Sequence, residues 1–145
     1  MSETDLLAQA REAMLQMRFE DAVQIYNLVL SRNPSSVETI YFKGQAMSNM
    51  QKDVEALRLF DQALGLLDPN STFAAEVLVS KGNSLLWMER VDQAEQCYDR
   101  ALRISPRLAR IWVEKARAAV HKKDFRRSIE HCDRALSLDS SDARA

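Results

Sequence analysis

The fold is decided by residues 78–106, LVSKGNSLLWMERVDQAEQCYDRALRISP. Apolar side chains recur every three or four positions on both sides of the central MER, so this stretch is predicted to form two amphipathic helices joined by a short turn. Gly82 lies in the first helix, and Ala94 follows it by twelve residues in the second. Small residues at such positions allow two helix backbones to approach closely. The stretch therefore predicts a packed pair of antiparallel helices.

Three other segments of the chain, residues 6–34, 40–68 and 112–140, repeat this pattern. Each has a small residue in its first helix, here termed the anchor, and an aromatic or soft residue sixteen positions later. The anchors are spaced by 34, 38 and 34 residues, which is the signature of a helical repeat array. The anchors are Ala10, Gly44, Gly82 and Ala116, and the later residues are Tyr26, Phe60, Tyr98 and Cys132.

The pattern resembles that of the tetratricopeptide repeat family over about residues 3–140. The resemblance implies an all-α fold, a right-handed superhelix of about four helix-turn-helix repeats, in a single domain spanning 1–145. We expect repeats at about 3–36, 37–70, 75–108 and 109–142. The helices are predicted at about 3–16, 19–32, 36–50, 53–67, 73–88, 91–104, 107–121 and 125–138.

The composition agrees with a helical chain. The 145 residues include three glycines and three prolines, and such a scarcity of turn residues excludes most all-β architectures. The formal net charge of −1 argues against generic nucleic-acid binding. No apolar run is long enough for a membrane span, the N-terminus lacks a signal-peptide pattern, and the two cysteines form no disulfide framework. We therefore expect a cytoplasmic protein that is not membrane-bound.

Several local signals predict where helices begin. Ser35 and Glu38 have the spacing of a capping box. Ser105 is predicted to be an N-cap with Pro106 as the first helical residue, and Asp124 is predicted to cap the last helix. The turn inside each repeat lacks the usual glycine, so the residues there are expected to avoid positive φ. These residues are Met17, Gln51, Glu89 and Lys123.

The repeated positions also predict packing within and between repeats. The anchor is expected to pack against the second small residue, twelve positions later, while the aromatic ring fills the groove against the next helix pair. A lysine precedes three of the anchors, and its stem is expected to lie across the groove with the ammonium in solvent. The alternative is a ladder for an acidic ligand. These lysines are Lys43, Lys81 and Lys115.

The resemblance implies that the first helix of each repeat lines a concave groove that holds a peptide or a helix of a partner protein. The leading hypothesis is therefore a non-catalytic protein-interaction scaffold. Tyr and Trp are enriched in binding hot spots, and amide side chains both donate to and accept from a peptide backbone. Tyr41 is expected to face the groove, whereas Phe42 and Trp87 have packing within the array as an alternative. The candidate groove residues are Arg11, Met14, Tyr41, Phe42, Gln45, Asn49, Val79, Asn83, Trp87 and Arg117.

One specialisation of the family can be compared directly. Its chaperone-binding members carry a clamp of lysine, asparagine and arginine for the acidic tails of heat-shock chaperones. Only one of the matching positions is basic here, so the clamp is absent and we do not expect a chaperone C-terminal tail as the ligand. An aliphatic or aromatic segment suits the groove better. The matching positions are Leu7, Arg11, Phe42, Glu76 and Ser80.

A second hypothesis is self-assembly through the last repeat. Terminal repeats need a polar outer face, whereas the last helix is expected to expose part of its apolar face. Either the chain is a fragment of a longer array, or another chain, as in a homo-oligomer, covers that face. The residues expected there are Ile129, Cys132, Leu136 and Leu138.

A third hypothesis is an acidic ligand bound by the last repeat. Residues 107–145 contain ten basic and six acidic side chains, which form either a solvated helical face or a binding surface. Nucleic acid as that ligand is not expected from the net charge. The basic excess is at Arg107, Arg110, Lys115, Arg117, Lys122, Lys123, Arg126 and Arg127.

No chemistry-bearing motif is found. His121 and His131 are ten residues apart and match no metal-binding pattern, and no nucleophile or phosphate-binding motif occurs. We therefore expect no catalytic residue, no metal and no cofactor.

Overall fold

The computed structural model describes the backbone of residues 1–144 and the side chains of residues 1–139. This described part contains eight helices and no strand, as the predicted all-α fold requires. The last helix continues beyond the predicted end at 138, and the seventh begins two residues later than predicted. The helices are α1 (Glu3–Leu15), α2 (Phe19–Arg32), α3 (Val37–Asn49), α4 (Asp53–Leu66), α5 (Thr72–Trp87), α6 (Val91–Ile104), α7 (Ala109–His121) and α8 (Phe125–Arg144).

The chain divides into two compact units, Met1–Asp68 and Pro69–Ala145. In the first unit, α1 packs on α2, α2 on α3, and α3 on α4. In the second unit, α5 packs on α6, α6 on α7, and α7 on α8, with a smaller contact between α5 and α7. Each unit therefore consists of two helical hairpins. Buried alanines occur in both units, together with aromatic and aliphatic side chains in the first and mainly aliphatic side chains in the second.

The anchor glycines lie where two helices of one hairpin approach closely, as predicted. A Cβ on Gly44 would lie 2.7 Å from the Phe60 ring carbon Cε1, and one on Gly82 would lie 2.5 Å from Cε1 of Tyr98. The side chain nearest to each of these two anchors is thus an aromatic ring of the same hairpin, which was expected to fill the groove against the next helix pair. The aromatic ring one helical turn further along contacts the anchor, because a flat ring fills the space that a missing side chain leaves.

The turns inside the hairpins correct another expectation. Met17, Gln51, Glu89 and Lys123 all have positive φ, between 60° and 62°. The left-handed conformation satisfies the last carbonyls of the helix. After α3, for example, the Lys52 N–H donates to the Met47 carbonyl at 2.9 Å, and the Gln51 N–H donates to the Ser48 carbonyl, also at 2.9 Å. The same pair of bonds closes α1, α5 and α7, so four non-glycine residues adopt a strained backbone conformation.

Two of the three predicted helix starts are wrong. The residue before α3 is Ser36, not Ser35, and its Oγ bonds to Thr39 Oγ1 at 2.7 Å instead of capping a backbone N–H. Helix α7 begins at Ala109, so Pro106 lies in the preceding turn. The third start is confirmed, because Asp124 Oδ1 accepts a hydrogen bond of 3.2 Å from the Arg127 N–H.

Candidate functional site

A cavity of about 140 Å³ opens between the first three helices, within the first unit. Helix α1 contributes an apolar and a basic edge, α3 contributes an aromatic, an acidic and an amide side chain, and α2 closes the base. Mostly apolar walls with a few convergent polar groups are typical of binding pockets. The lining residues are Leu7, Arg11, Met14, Tyr26, Glu38, Phe42 and Gln45.

Four candidate groove residues therefore come together in the first unit: Arg11, Met14, Phe42 and Gln45. Phe42 is only partly buried and stacks on Tyr26 with ring centroids 6.4 Å apart, so it forms part of the wall. Asn49, at the end of α3, is exposed and lies outside the cavity lining.

Tyr41 does not face the groove in the way that we expected. Its side chain is 7% exposed, and its ring lies 6.0 Å from that of Phe60. Its hydroxyl accepts a hydrogen bond of 2.6 Å from Gln45 Nε2. Helical periodicity predicts which residues share a face of the helix, but not which face is turned toward the groove. In α3, the side of the helix that contains Phe42 lines the cavity. Tyr41 therefore packs against Phe42 and Phe60 and also holds the Gln45 amide through its hydroxyl.

Tyr26 lines the cavity, although the repeat pattern predicts only a packing role for an aromatic residue on the second helix of a repeat. Burial raises the pKa of its hydroxyl, and the charges of Arg11 and Glu38 lower and raise it, respectively. Both charges therefore act on this hydroxyl at the base of the cavity. The available signal was that Tyr26 carries a hydroxyl where the second repeat has Phe60.

The candidate residues of the second unit are less concentrated. Val79 is buried, and Asn83 Oδ1 accepts a hydrogen bond of 2.6 Å from the Tyr98 hydroxyl. Trp87 is 70% exposed, so the alternative that it packs within the array is wrong. Arg117 donates to Glu114 at 2.9 Å on the same helix. Asn83 therefore makes a structural contact between α5 and α6.

Helix α8 carries an exposed apolar face within the second unit. Phe125, Ile129 and Leu136 are each more than half exposed, and Cys132 is exposed between them. Their spacing of four, three and four residues places them along one stripe of the helix, here termed the α8 stripe. Leu138 was expected in this face, but it is buried against the core, and Phe125 was missed.

Much of the basic excess in the last repeat is neutralised by neighbours. Lys122 donates to Asp92 and Glu95, each at 2.6 Å, and these hydrogen bonds raise its pKa to about 12. Lys115 donates to Asp99 at 2.7 Å and lies 5.0 Å from the centre of the Trp112 ring. The expectation that the Lys115 ammonium is free in solvent is therefore wrong, because α6 supplies an acceptor for it.

His131 packs against the ring of Trp112. Its ring lies 5.4 Å from that of Trp112, and burial, followed by the charges of Lys115 and Arg127, lowers its pKa. Within the described side chains, no group of three His, Cys, Asp or Glu residues could hold a metal ion. None of the described helices has the length and apolar character needed to cross a membrane.

Comparison with known proteins agrees with this architecture. A model of the tetratricopeptide repeat matches residues 79–143. A DnaJ homolog subfamily C member 7 homolog of Schizosaccharomyces pombe is 28% identical over 91% of this chain, and the chain spans 30% of the length of that relative.

Solved structures show the same fold over nearly the whole chain. MamA residues 41 to the end from Desulfovibrio magneticus is 17% identical, with a TM-score of 0.83, covering 97% of this chain and 77% of that one. PilF of Pseudomonas aeruginosa is also 17% identical, with a TM-score of 0.80, covering 94% and 61%. Residues 79–143 thus match the tetratricopeptide repeat, and the solved structures show an all-α fold of this kind over nearly the whole chain.

Proposed function

We propose that the chain binds an extended or helical apolar segment of a partner protein over the cavity of the first unit. The observation that carries this proposal is the convergence of Leu7, Met14 and Phe42 on one open cavity with Arg11, Glu38 and Gln45 at its polar edge. Small apolar cavities with a few polar groups are the part of a surface where anchor side chains of a partner contribute most to affinity.

The chemistry of the cavity favours an apolar ligand over an acidic tail. Leu7 and Phe42 occupy two positions where the chaperone-binding members have polar clamp residues, and Glu38 adds a negative charge next to Arg11. A multiply charged acidic tail would meet one arginine, one repelling carboxylate and an apolar wall, so its desolvation would not be offset.

The test is a selection from a displayed library of random dodecapeptides, with the full chain as the target. Met14→Glu places a carboxylate in the cavity wall and is expected to weaken binding of the selected peptides roughly tenfold or more. Leu28→Glu is the matched control, because Leu28 is an exposed leucine of the same unit outside the cavity lining. Peptides that bind Met14→Glu as tightly as the unaltered chain would contradict the proposal. Circular dichroism melting checks that both variants fold.

The choice of Met14 follows from the placement of the other candidates. Tyr41→Ala would open the buried contact with Phe60, and Asn83→Ala would remove the acceptor of the Tyr98 hydroxyl. Both changes would lower stability whether or not a ligand binds there. Met14 is only partly buried, so its substitution separates binding from folding better.

Self-association through the α8 stripe is a second candidate function, with a second copy of this chain as the occupant. Arg126 and Arg127 lie in the first turn of α8, whereas Glu130, Asp133 and Asp139 follow, interrupted by Arg134. Two antiparallel copies would therefore bring opposite charges together beside the stripe. Leu136→Glu should abolish a dimer in sedimentation equilibrium, and an unaltered chain that is monomeric at tens of micromolar would refute this candidate.

The third hypothesis, an acidic ligand at the last repeat, has less support. Lys115, Arg117 and Lys122 already pair with carboxylates of α6 and α7, so an acidic ligand would have to displace these partners. A steep loss of affinity with added salt would be its signature.

A further inference from the structure

We propose that the cavity of the first unit takes one uncharged side chain, of leucine to phenylalanine size, from a residue inside the partner chain. Arg11 and Glu38 bind the peptide groups on either side of that residue. The inference rests on the proposed function. It adds the chemistry of the anchor residue, which the proposed function does not specify. The cavity size, the charges at its rim and the Tyr26 hydroxyl carry it.

The size of the cavity sets the size of the side chain. Its volume is about 140 Å³, and engineered apolar cavities of about 150 Å³ accept a benzene molecule. Leu7, Met14 and Phe42 supply apolar walls, which offer no partner to a charged group. A lysine, arginine or glutamate side chain would lose hydration against these walls, and either Arg11 or Glu38 at the rim would repel it, which offsets the attraction of the other. One aromatic ring or one branched aliphatic group fits both the volume and the walls.

The charges at the rim indicate that the anchor residue is internal to its chain. Arg11 carries only hydrogen-bond donors, and the ionised Glu38 only acceptors. Both residues are exposed, and both line the same cavity from different helices. Neighbouring peptide groups offer an uncharged carbonyl to the arginine and an N–H to the glutamate. A terminal carboxylate would be repelled by Glu38, and a terminal ammonium by Arg11, so neither chain end matches the pair.

The Tyr26 hydroxyl provides a third polar contact. The equivalent Tyr98 hydroxyl donates to Asn83, whereas no hydrogen bond to the Tyr26 hydroxyl is present among the side chains of residues 1–139. The charges of Arg11 and Glu38 act on this hydroxyl with opposite sign, as its pKa shift indicates. A buried hydroxyl gains most from a partner when its surroundings are apolar. A peptide group of the anchor residue supplies that partner.

The experiment compares three probes that differ only in charge: N-acetyl-leucine N-methylamide, N-acetyl-leucine and leucine N-methylamide. The full chain carries ¹³C-methyl methionine, and the Met14 signal is assigned by its loss in Met14→Leu. The neutral probe is expected to shift the Met14 methyl resonance, with a Kd roughly fivefold lower than that of either charged probe. A charged probe that binds as tightly, or a Met14 resonance that no probe shifts, would overturn the inference.

A pair of tyrosine variants tests the hydroxyl. Tyr26→Phe keeps the ring, and Phe60 at the equivalent position of the second repeat indicates that phenylalanine fits there. It is expected to weaken the neutral probe roughly fivefold. Tyr98→Phe, the matched control in the second unit, is expected to leave the probe affinity unchanged. Equal affinity in Tyr26→Phe and the unaltered chain would contradict the role given to this hydroxyl.

The outcomes separate this inference from the proposed function. Selected peptides that bind the first unit through a charged anchor or a free C-terminus would refute the inference and leave the proposed function standing. Probes that shift Met14 when no library peptide binds would support the cavity chemistry and refute the proposed function.

Discussion

The ring of Phe60 lies against the Cα of Gly44, so close that a Cβ on this glycine would come within 2.7 Å of a ring carbon. Tyr98 and Gly82 repeat the relationship in the second unit. None of the glycines has positive φ, so Gly44 and Gly82 provide space for a ring and not backbone freedom. A Cβ on Gly65 would meet no atom of another element within 4 Å, so this glycine serves neither purpose.

Gly44→Ala and Gly65→Ala are expected to change stability in opposite directions. Alanine favours a helix over glycine by about 1 kcal/mol. At Gly65 nothing opposes this gain, so the free energy of unfolding should rise by roughly 0.5–1 kcal/mol. At Gly44 the clash with Phe60 costs about 2 kcal/mol, which leaves a net loss of about 1 kcal/mol. Urea unfolding measures both values, and a Gly44→Ala variant as stable as the unaltered chain would contradict the packing argument.

Glycine is expected to stabilise the hairpin turns. The left-handed conformation costs a non-glycine residue about 1–2 kcal/mol, whereas the extra freedom of glycine in the unfolded chain costs about 0.5–1 kcal/mol. Gln51→Gly and Lys123→Gly should therefore each raise the free energy of unfolding by roughly 0.5–1 kcal/mol. Gln51→Ala is the control, because alanine keeps the strain, and it should bring no such gain. Denaturant titration measures the free energy of unfolding of the three variants, and a Gln51→Ala variant as stable as Gln51→Gly would contradict the argument.

The hydrogen bond between Tyr98 and Asn83 should contribute to stability and to its pH dependence. Tyr98→Phe is expected to cost about 1 kcal/mol. Burial raises the pKa of Tyr98 above its usual value of 10.0, so the neutral hydroxyl is favoured in the folded chain. The contribution of Tyr98 to stability is then constant below about pH 10 and falls as the pH rises further, because the unfolded chain releases this proton first.

The measurement is chemical unfolding of the unaltered chain and of Tyr98→Phe at pH 8 and above pH 10. The loss of stability at alkaline pH should be smaller in Tyr98→Phe. Tyr26 has a pKa shift of the same direction, so some loss should remain in that variant. Equal losses in both proteins would show that Tyr98 ionises as freely in the folded chain as in the unfolded one.

Two leucines of α8 should respond differently to the same change. Leu136 is 64% exposed and Leu138 is 8% exposed. Leu138→Glu buries a carboxylate without a partner and is expected to cost several kcal/mol, on the order of 3. Leu136→Glu should change the monomer stability by less than about 0.5 kcal/mol. Thermal melting at low concentration compares them, and similar melting temperatures would contradict the described rotation of α8.

The sequence predicted the features that depend on spacing. The helices and the anchor positions follow from a sequence pattern that occurs four times. Small residues at a fixed position of such a pattern indicate a close approach of two helices. Features that depend on helix rotation were less predictable. Tyr41 and Phe42, or Leu136 and Leu138, differ by one or two positions, and which of them faces solvent is set by the tertiary packing of the whole hairpin.

The turn conformation and the cavity could not be predicted for a different reason. Positive φ at Met17 or Glu89 contradicts the local preference of these residues and is imposed by the closure of the helix end. The cavity depends on side chains from three helices, and the contribution of Tyr26 emerges only when α1 and α3 are placed around it.

The hydrogen bond between Gln45 and Tyr41 has a consequence for the kinetics and thermodynamics of binding. An amide that is already held in one rotamer loses little further conformational entropy when a ligand contacts it. Gln45 is thus held by the Tyr41 hydroxyl, and a change at Tyr41 is expected to act on the proposed ligand mainly as faster dissociation.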